Sequence, residues 1–392
     1  MVVKAVVYRA PYDVRVESVP DPMIHDDRDA IVRLTSSALC GSDLHMYRGH
    51  VPPDPGLILG HEGIGVIVAV GNDVRLRKTG ERVVLPAHLY CGVCVKCAQG
   101  LTAQCLTMRP GEVGAAFGYA GKGHYPGMHA EMVRVPYADA NCIPLPGEPM
   151  DSVEDDFLML ADAFVGGWHA ADLANVWGTP TVAIFGAGPI GLLTLMSVKM
   201  RGAGTVFMVD GVDARLKKAR EFGGIPIDFR LGDPVDAIRA YRRRQGLPPG
   251  ETALDGVDAV IDAVGFEALD VKNPAVEKPD QIIWDMARLA NYGGSLGAMG
   301  VYVKQDAKPA GNEGTDGSVR VPWGLLFEKG VRIGMGRTND RQYTRHLRDL
   351  IIAGAVRPGT VVTHHMPLSD APDGYRLFSE RAEDIIKLVF NP

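Results

Sequence analysis

The chain has 392 residues, with 41 Lys and Arg against 47 Asp and Glu and a formal net charge of -6. With a pI of about 6.0 there is no electrostatic footprint for nucleic acid. The length exceeds one comfortable core and predicts two domains.

In the first third, short apolar strands are predicted at Ala5–Tyr8, Ala30–Leu34, Gly63–Val70 and Arg82–Leu85, separated by Gly and Pro. This reads as an irregular, barrel-like β domain. Within it lie Cys40-Gly-Ser-Asp-Leu-His45 and Gly60-His61-Glu62-Gly-Ile-Gly65. Thiolate and neutral imidazole are common zinc ligands, and an open catalytic site takes three protein ligands plus water. Seen singly, Cys40 reads as a small buried hydrophobe and His61 as a hydrogen-bonded turn residue. Their order with the next motif makes them ligand candidates.

That motif holds four of the six cysteines, Cys91, Cys94, Cys97 and Cys105, at spacing C-x2-C-x2-C-x7-C. Four thiolates on short loops converge on one tetrahedral zinc, and such a closed site is structural. Disulfide pairing is the alternative and requires an oxidising compartment. Residues Met1 to Tyr8 lack the apolar core and cleavage site of a signal peptide, so a cytoplasmic location is expected. Cys142 has no partner pattern and reads as packing. His364-His365 and the scattered His50, His88, His124 and His129 carry no ligand spacing, and of these His88 and His124 are candidates for lining a substrate cleft.

The strand-type run Thr181-Val-Ala-Ile-Phe185 feeds Gly186-Ala-Gly188-Pro189-Ile190-Gly191, and Leu192 to Met200 reads as a helix. In this context G-x-G-x-x-G is a dinucleotide fingerprint: a tight turn, a close pyrophosphate approach, and a helix N-terminus that receives phosphate charge. The glycines and Pro189 break this stretch as a membrane span. The next strand ends at Asp210, whose carboxylate suits a ribose hydroxyl and repels a 2′-phosphate, so NAD is expected. Arg215, five residues on, softens that reading, since an arginine can in principle meet a phosphate. Strands then alternate with helices, as at Val206–Asp210, Ala214–Phe222, Val235–Arg244 and Ala259–Asp262, predicting a doubly wound parallel sheet. The helix containing Tyr241-Arg-Arg-Arg244 presents these basic residues as a solvated face. Lys304 to Gly317 reads as a long loop at a subunit or cofactor edge.

Over nearly its whole length the chain resembles the zinc-containing medium-chain alcohol dehydrogenase superfamily, and within it the glutathione-independent formaldehyde dehydrogenases and formaldehyde dismutases. The matches are Cys40-Gly-Ser-Asp-Leu-His-Met46, Leu59-Gly-His-Glu62, the four-cysteine loop, Val135-Pro-Tyr-Ala-Asp139, the glycine motif, Asp262-Ala-Val-Gly-Phe-Glu267 and Ile386-Lys-Leu-Val389. The resemblance implies an α/β chain: a GroES-like β-rich catalytic domain at 1–161 and 333–392, and a Rossmann NAD-binding domain at 162–332. It implies two zinc ions per subunit and a homo-oligomer, a tetramer in preference to a dimer.

It also implies site roles. Asp162 becomes the third catalytic-zinc ligand with Cys40 and His61, where common alcohol dehydrogenases place a cysteine. Ser42 and His45 fall on the proton relay, Asp43 on the carboxylate that orients His61, and Glu62 beside the metal as a transient ligand. In the formaldehyde branch a loop after Val264-Gly-Phe-Glu267 covers the adenosine so that NAD stays bound. Ala268 to Gln281 corresponds, with an ordinary surface loop as the competing reading. The function expected is NAD-linked oxidation of a small aldehyde hydrate or alcohol, formaldehyde favoured. The alternatives are a general alcohol or polyol dehydrogenase and a nucleotide-bound protein without turnover.

Overall fold

The computed structural model describes residues 2–246, 254–302, 317–382 and 384–392. Most of the expected 304–317 loop lies outside them. The described residues form two compact units, one from residues up to Val165 together with Thr338–Pro392, the other from residues between Gly166 and Arg337. Among the described residues no helix is long and apolar enough to cross a membrane.

The first unit is built on a seven-stranded sheet. Its path runs His364–Pro367, Leu388–Asn391, Ala30–Leu39, Glu62–Val70, Arg82–Leu85 and Ile143–Pro144, and Met132–Val135 also pairs with Ala30–Leu39. Apart from the parallel pair His364–Pro367 and Leu388–Asn391, the pairings are antiparallel. Strand Ala30–Leu39 runs five residues beyond its predicted end, because Ser36, Ser37 and Ala38 pair with Ile64, Gly63 and Glu62. That extension delivers Cys40 beside the strand that starts at Glu62. Cys142 is buried in the cluster that also holds Cys91, Cys97 and Cys105, as its packing role requires.

The second unit is a six-stranded parallel sheet. Its order is Ile225–Asp228, Thr205–Asp210, Thr181–Phe185, Val257–Asp262, Ala290–Ala298 and Arg332–Met335. In chain order this is 3-2-1-4-5-6, the doubly wound arrangement, with its switch point beside Thr181–Phe185. All five residues of that strand are buried, as expected when helices cover both faces. The sheet continues past residue 332, since Arg332–Met335 pairs with Ser295–Ala298. Within Ala268–Gln281 the chain folds as a small hairpin, Leu269–Asp270 against Asn273–Glu277, whose second strand is exposed throughout.

Arg82 ties the strand leading to the cysteine loop to the helix Glu154–Leu158 that leads to Asp162. Its guanidinium is buried, grips Asp151 at 2.9 and 3.0 Å, and bonds Glu154. Removing one partner of such a pair leaves uncompensated buried charge. Arg82→Met is expected to lower stability by about 3–5 kcal/mol, read as a shift in the urea unfolding midpoint.

Candidate metal centres and dinucleotide loop

Cys91, Cys94, Cys97 and Cys105 present four sulfurs that all lie within 4.8 Å of one another. The Cys91–Cys97 and Cys94–Cys105 separations are 4.0 and 3.9 Å, near the roughly 3.8 Å edge of a tetrahedron with zinc–sulfur bonds of about 2.3 Å. Backbone N–H groups of Val93 and Cys94 donate to the Cys91 sulfur, and that of Cys91 to Cys105. Burial pushes Cys97 and Cys105 up, while against burial the backbone N–H groups of Leu106 and Cys97 bring Cys94 down to about 6. All four ionise together only around a cation, so the donor set fits a structural zinc.

A second cluster joins Cys40, His61, Glu62 and Asp162, all buried, with ligand atoms again within 4.8 Å. Cys40 precedes the short helix Gly41–Tyr47, and Asp162 follows the turn Met159–Ala161. Gly60 sits at φ +93°, and a Cβ there would lie 2.4 Å from the His129 ring, so the backbone entering His61 admits only glycine. Asp43 Oδ2 accepts from the Cys40 backbone at 3.0 Å, and its Oδ1 accepts from His61 Nδ1 at 3.1 Å. Since a carboxylate only accepts, Nδ1 carries the proton and Nε2 turns to the cluster. There Nε2 lies 3.7 Å from Asp162 Oδ2, and the Cys40 sulfur 3.6 Å from the same oxygen. Ser42 Oγ completes the group, 3.3 Å from the Cys40 sulfur and 3.2 Å from His61 Nε2. His45 is buried on the same helix, three residues after Ser42 and so on one face.

The electrostatics demand a cation. Burial alone would raise Asp162, but the hydrogen bond and charge of His61 bring it to about 2. Burial alone would lower His61, but the Asp43 charge and its acidic neighbours push it well above the usual range. A proton on His61 thus answers a need that a divalent ion answers better. Glu62 adds a second sign: Lys387 Nζ donates to Oε1 at 2.6 Å, both side chains are fully buried, and Oε2 has no partner. Such an orphaned carboxylate oxygen suits a transient ligand. Lys387 was not among the predicted site residues. Its signal was a lone cation inside the apolar run Ile385-Ile-Lys-Leu-Val-Phe390.

Of the two further histidines, His124 is exposed. His88 Nδ1 lies 3.0 Å from Asp340 Oδ2, a partner nothing in Thr338-Asn-Asp-Arg341 advertised.

In the second unit, Gly186 to Gly191 turns from the strand into the helix Pro189–Met200, with Gly188 as N-cap and Pro189 in the first turn. A Cβ on Gly191 would stand 1.8 Å from the Gly186 carbonyl oxygen. Asp210 accepts from Ala187 N at 2.7 Å, Gly211 N at 2.7 Å and Val212 N at 2.9 Å, joining the loop to the neighbouring strand end. Arg215 Nη1 lies 3.8 Å from Asp210 Oδ2, and a Cβ on Gly188 would be 3.8 Å from the same nitrogen. The helix opening at Ile190 and Gly191 leaves N–H groups free for an anion.

Residues 26–147 match the model of the alcohol dehydrogenase GroES-like domain. The chain is 33% identical over 397 residues to the zinc-type alcohol dehydrogenase-like protein AdhB of Bacillus subtilis, covering 99% of this chain and 100% of that one. The chain belongs to the zinc-containing medium-chain alcohol dehydrogenase superfamily. It is 34% identical over 411 residues to the glutathione-independent formaldehyde dehydrogenase of the same organism, covering 99% and 97% of the two chains. Alcohol dehydrogenase TADH from Thermus sp. ATN1 superposes with a TM-score of 0.82 at 28% identity, covering 99% of each chain. As a member, the protein is an oxidoreductase of the zinc alcohol dehydrogenase type.

Because the Gly191 clash is with backbone, nothing can move aside. Gly191→Ala is expected to weaken dinucleotide binding at least tenfold, about 1.4 kcal/mol, measured by NADH fluorescence titration.

Proposed function

We propose that the protein is an NAD-linked zinc dehydrogenase that oxidises small aldehyde hydrates or alcohols, formaldehyde favoured. The observation that carries this reading is the buried S, N and O donor set of Cys40, His61 and Asp162, with Ser42 Oγ against it. Cys91, Cys94, Cys97 and Cys105 would hold a second, structural zinc. When bound at the first set, zinc would polarise the substrate oxygen and lower its pKa toward neutrality.

The chain's own residues do the rest. Ser42 Oγ would accept the proton from the substrate hydroxyl while giving up its own toward His45, three residues on in the same helix. Asp43 holds His61 in the tautomer that offers Nε2. A carboxylate at Asp162 donates less charge than a thiolate and would leave a bound zinc a stronger Lewis acid. Lys387 draws Glu62 by one oxygen and leaves the other free for exchange. Gly186, Gly188, Pro189, Ile190 and Gly191 would seat the pyrophosphate, and Asp210 the adenosine ribose, with Arg215 neutralised by Asp210 and so less available to a 2′-phosphate. Likeness to relatives named glutathione-independent formaldehyde dehydrogenase supports formaldehyde as the substrate proposed here, ahead of longer alcohols and polyols; a homotetramer acting in the cytoplasm is proposed with it.

Elemental analysis of fully loaded protein is expected to give two zinc ions per chain. Cys40→Ser should abolish turnover with the other zinc retained, whereas Cys97→Ser should chiefly lower stability. One zinc per chain would defeat the assignment.

A panel of formaldehyde, short alcohols and polyols, followed by NADH absorbance, tests the substrate. NAD is expected to exceed NADP by a large factor in kcat/KM, with Asp210→Ala narrowing the gap. Equal use of both cofactors by the native protein would refute NAD preference. Dinucleotide released on unfolding, with aldehyde disproportionation in its presence, would extend the reading to a dismutase.

A further inference from the structure

His88 has one occupied and one open nitrogen. Nδ1 lies 3.0 Å from Asp340 Oδ2, and Asp340 is fully buried while the His88 side chain is 14% exposed. The carboxylate accepts, so Nδ1 carries the proton and Nε2 offers a lone pair. Among the described residues Nε2 has no hydrogen-bond partner. The dyad is firmly built. Ala103 N donates to Asn339 Oδ1 at 3.2 Å, Arg341 Nη1 to the Gly92 carbonyl at 2.7 Å, and Thr344 Oγ1 to the Asp340 carbonyl at 2.7 Å. His88 itself is held in a two-residue strand against Ala116.

The dyad also lies beside the donor cluster. Ala87 N donates to the Ala161 carbonyl at 2.9 Å, so His88 and Asp162 are the next residues along two bonded segments. Asp340 also feels the Asp162 charge, which places the His88–Asp340 pair near that carboxylate. Neither residue is needed as a metal ligand or for the relay, yet a buried carboxylate with one oxygen unpartnered is kept there to aim one imidazole.

We propose that His88 is a substrate-positioning group whose Nε2 accepts a hydrogen bond from a second hydroxyl of the substrate, with Asp340 holding its ring and tautomer. This rests on the metal reading of Cys40, His61 and Asp162. The substrate class is then one carrying two hydroxyls close together: a carbonyl hydrate, or a 1,2-diol, in preference to a monohydric alcohol. A site built to bond a hydroxyl discriminates against the analogue lacking it, because its polar group is left unpaired.

The test compares kcat/KM for 1,2-propanediol and 1-propanol in zinc-loaded native protein, His88→Phe, His88→Gln and Asp340→Asn. The native diol-to-alcohol ratio is expected to fall at least tenfold in His88→Phe, mostly through KM, and to recover in part in His88→Gln, whose amide oxygen also accepts. Asp340→Asn should lower it less. Binding is read without turnover by side-chain 15N spectra of histidine-labelled protein lacking dinucleotide: the diol should shift the His88 Nε2 resonance and the alcohol should not. Two zinc ions with an unchanged ratio in His88→Phe, or equal shifts from both ligands, would overturn this proposal alone. A native protein with one zinc would overturn the metal reading and this proposal with it.

Discussion

Everything at the first unit's site depends on buried negative charge needing a cation. Cys40, Asp43, Glu62 and Asp162 are all buried, with the His61 imidazole and the Lys387 ammonium among them. A charge taken out of water without a partner is costly enough that the group neutralises instead. The arrangement divides the acids by partner: Asp43 with His61, Glu62 with Lys387, and Cys40 and Asp162 toward the shared centre. Cys40 and Asp162 face each other and the shared His61 Nε2, which is why the centre reads as a metal position.

The same constraint gives the supporting residues their roles. Asp43 satisfies the Cys40 backbone with one oxygen and orients His61 with the other, so one buried side chain sets both the helix start and the ligand geometry. Such outer partners usually matter almost as much as the ligands. Lys387 holds Glu62 back by one oxygen, keeping a carboxylate beside the centre without committing it. The four-cysteine loop solves the parallel problem by convergence, with backbone N–H groups pointing at the sulfurs.

In the second unit the constraint is steric. The Gly186 carbonyl and Gly191 approach so closely that no side chain fits, and this contact shapes the helix opening. Asp210 accepts once from the glycine loop, at Ala187, and twice from its own following residues, so the acid expected to read the ribose also tethers the loop proposed for the pyrophosphate. A substitution there disturbs both roles together.

Local patterns were readable wherever geometry follows from spacing along the chain. The cysteine loop, the glycine turn and the alternation of apolar strands with helices are short-range features, and each is where the residues alone place it. Cys40 and His61 were visible as candidates because each sits in a tight glycine-flanked motif. Asp162 stood out only through family resemblance, since an acid before a helix is an ordinary capping pattern. What tertiary structure decided was partnership across long separations. Lys387 meets Glu62 across 325 residues, and His88 meets Asp340 across 252. No periodicity encodes such pairs, because they arise only when the C-terminal segment packs back onto the first unit and buried charges find whichever opposite group the fold brings within reach.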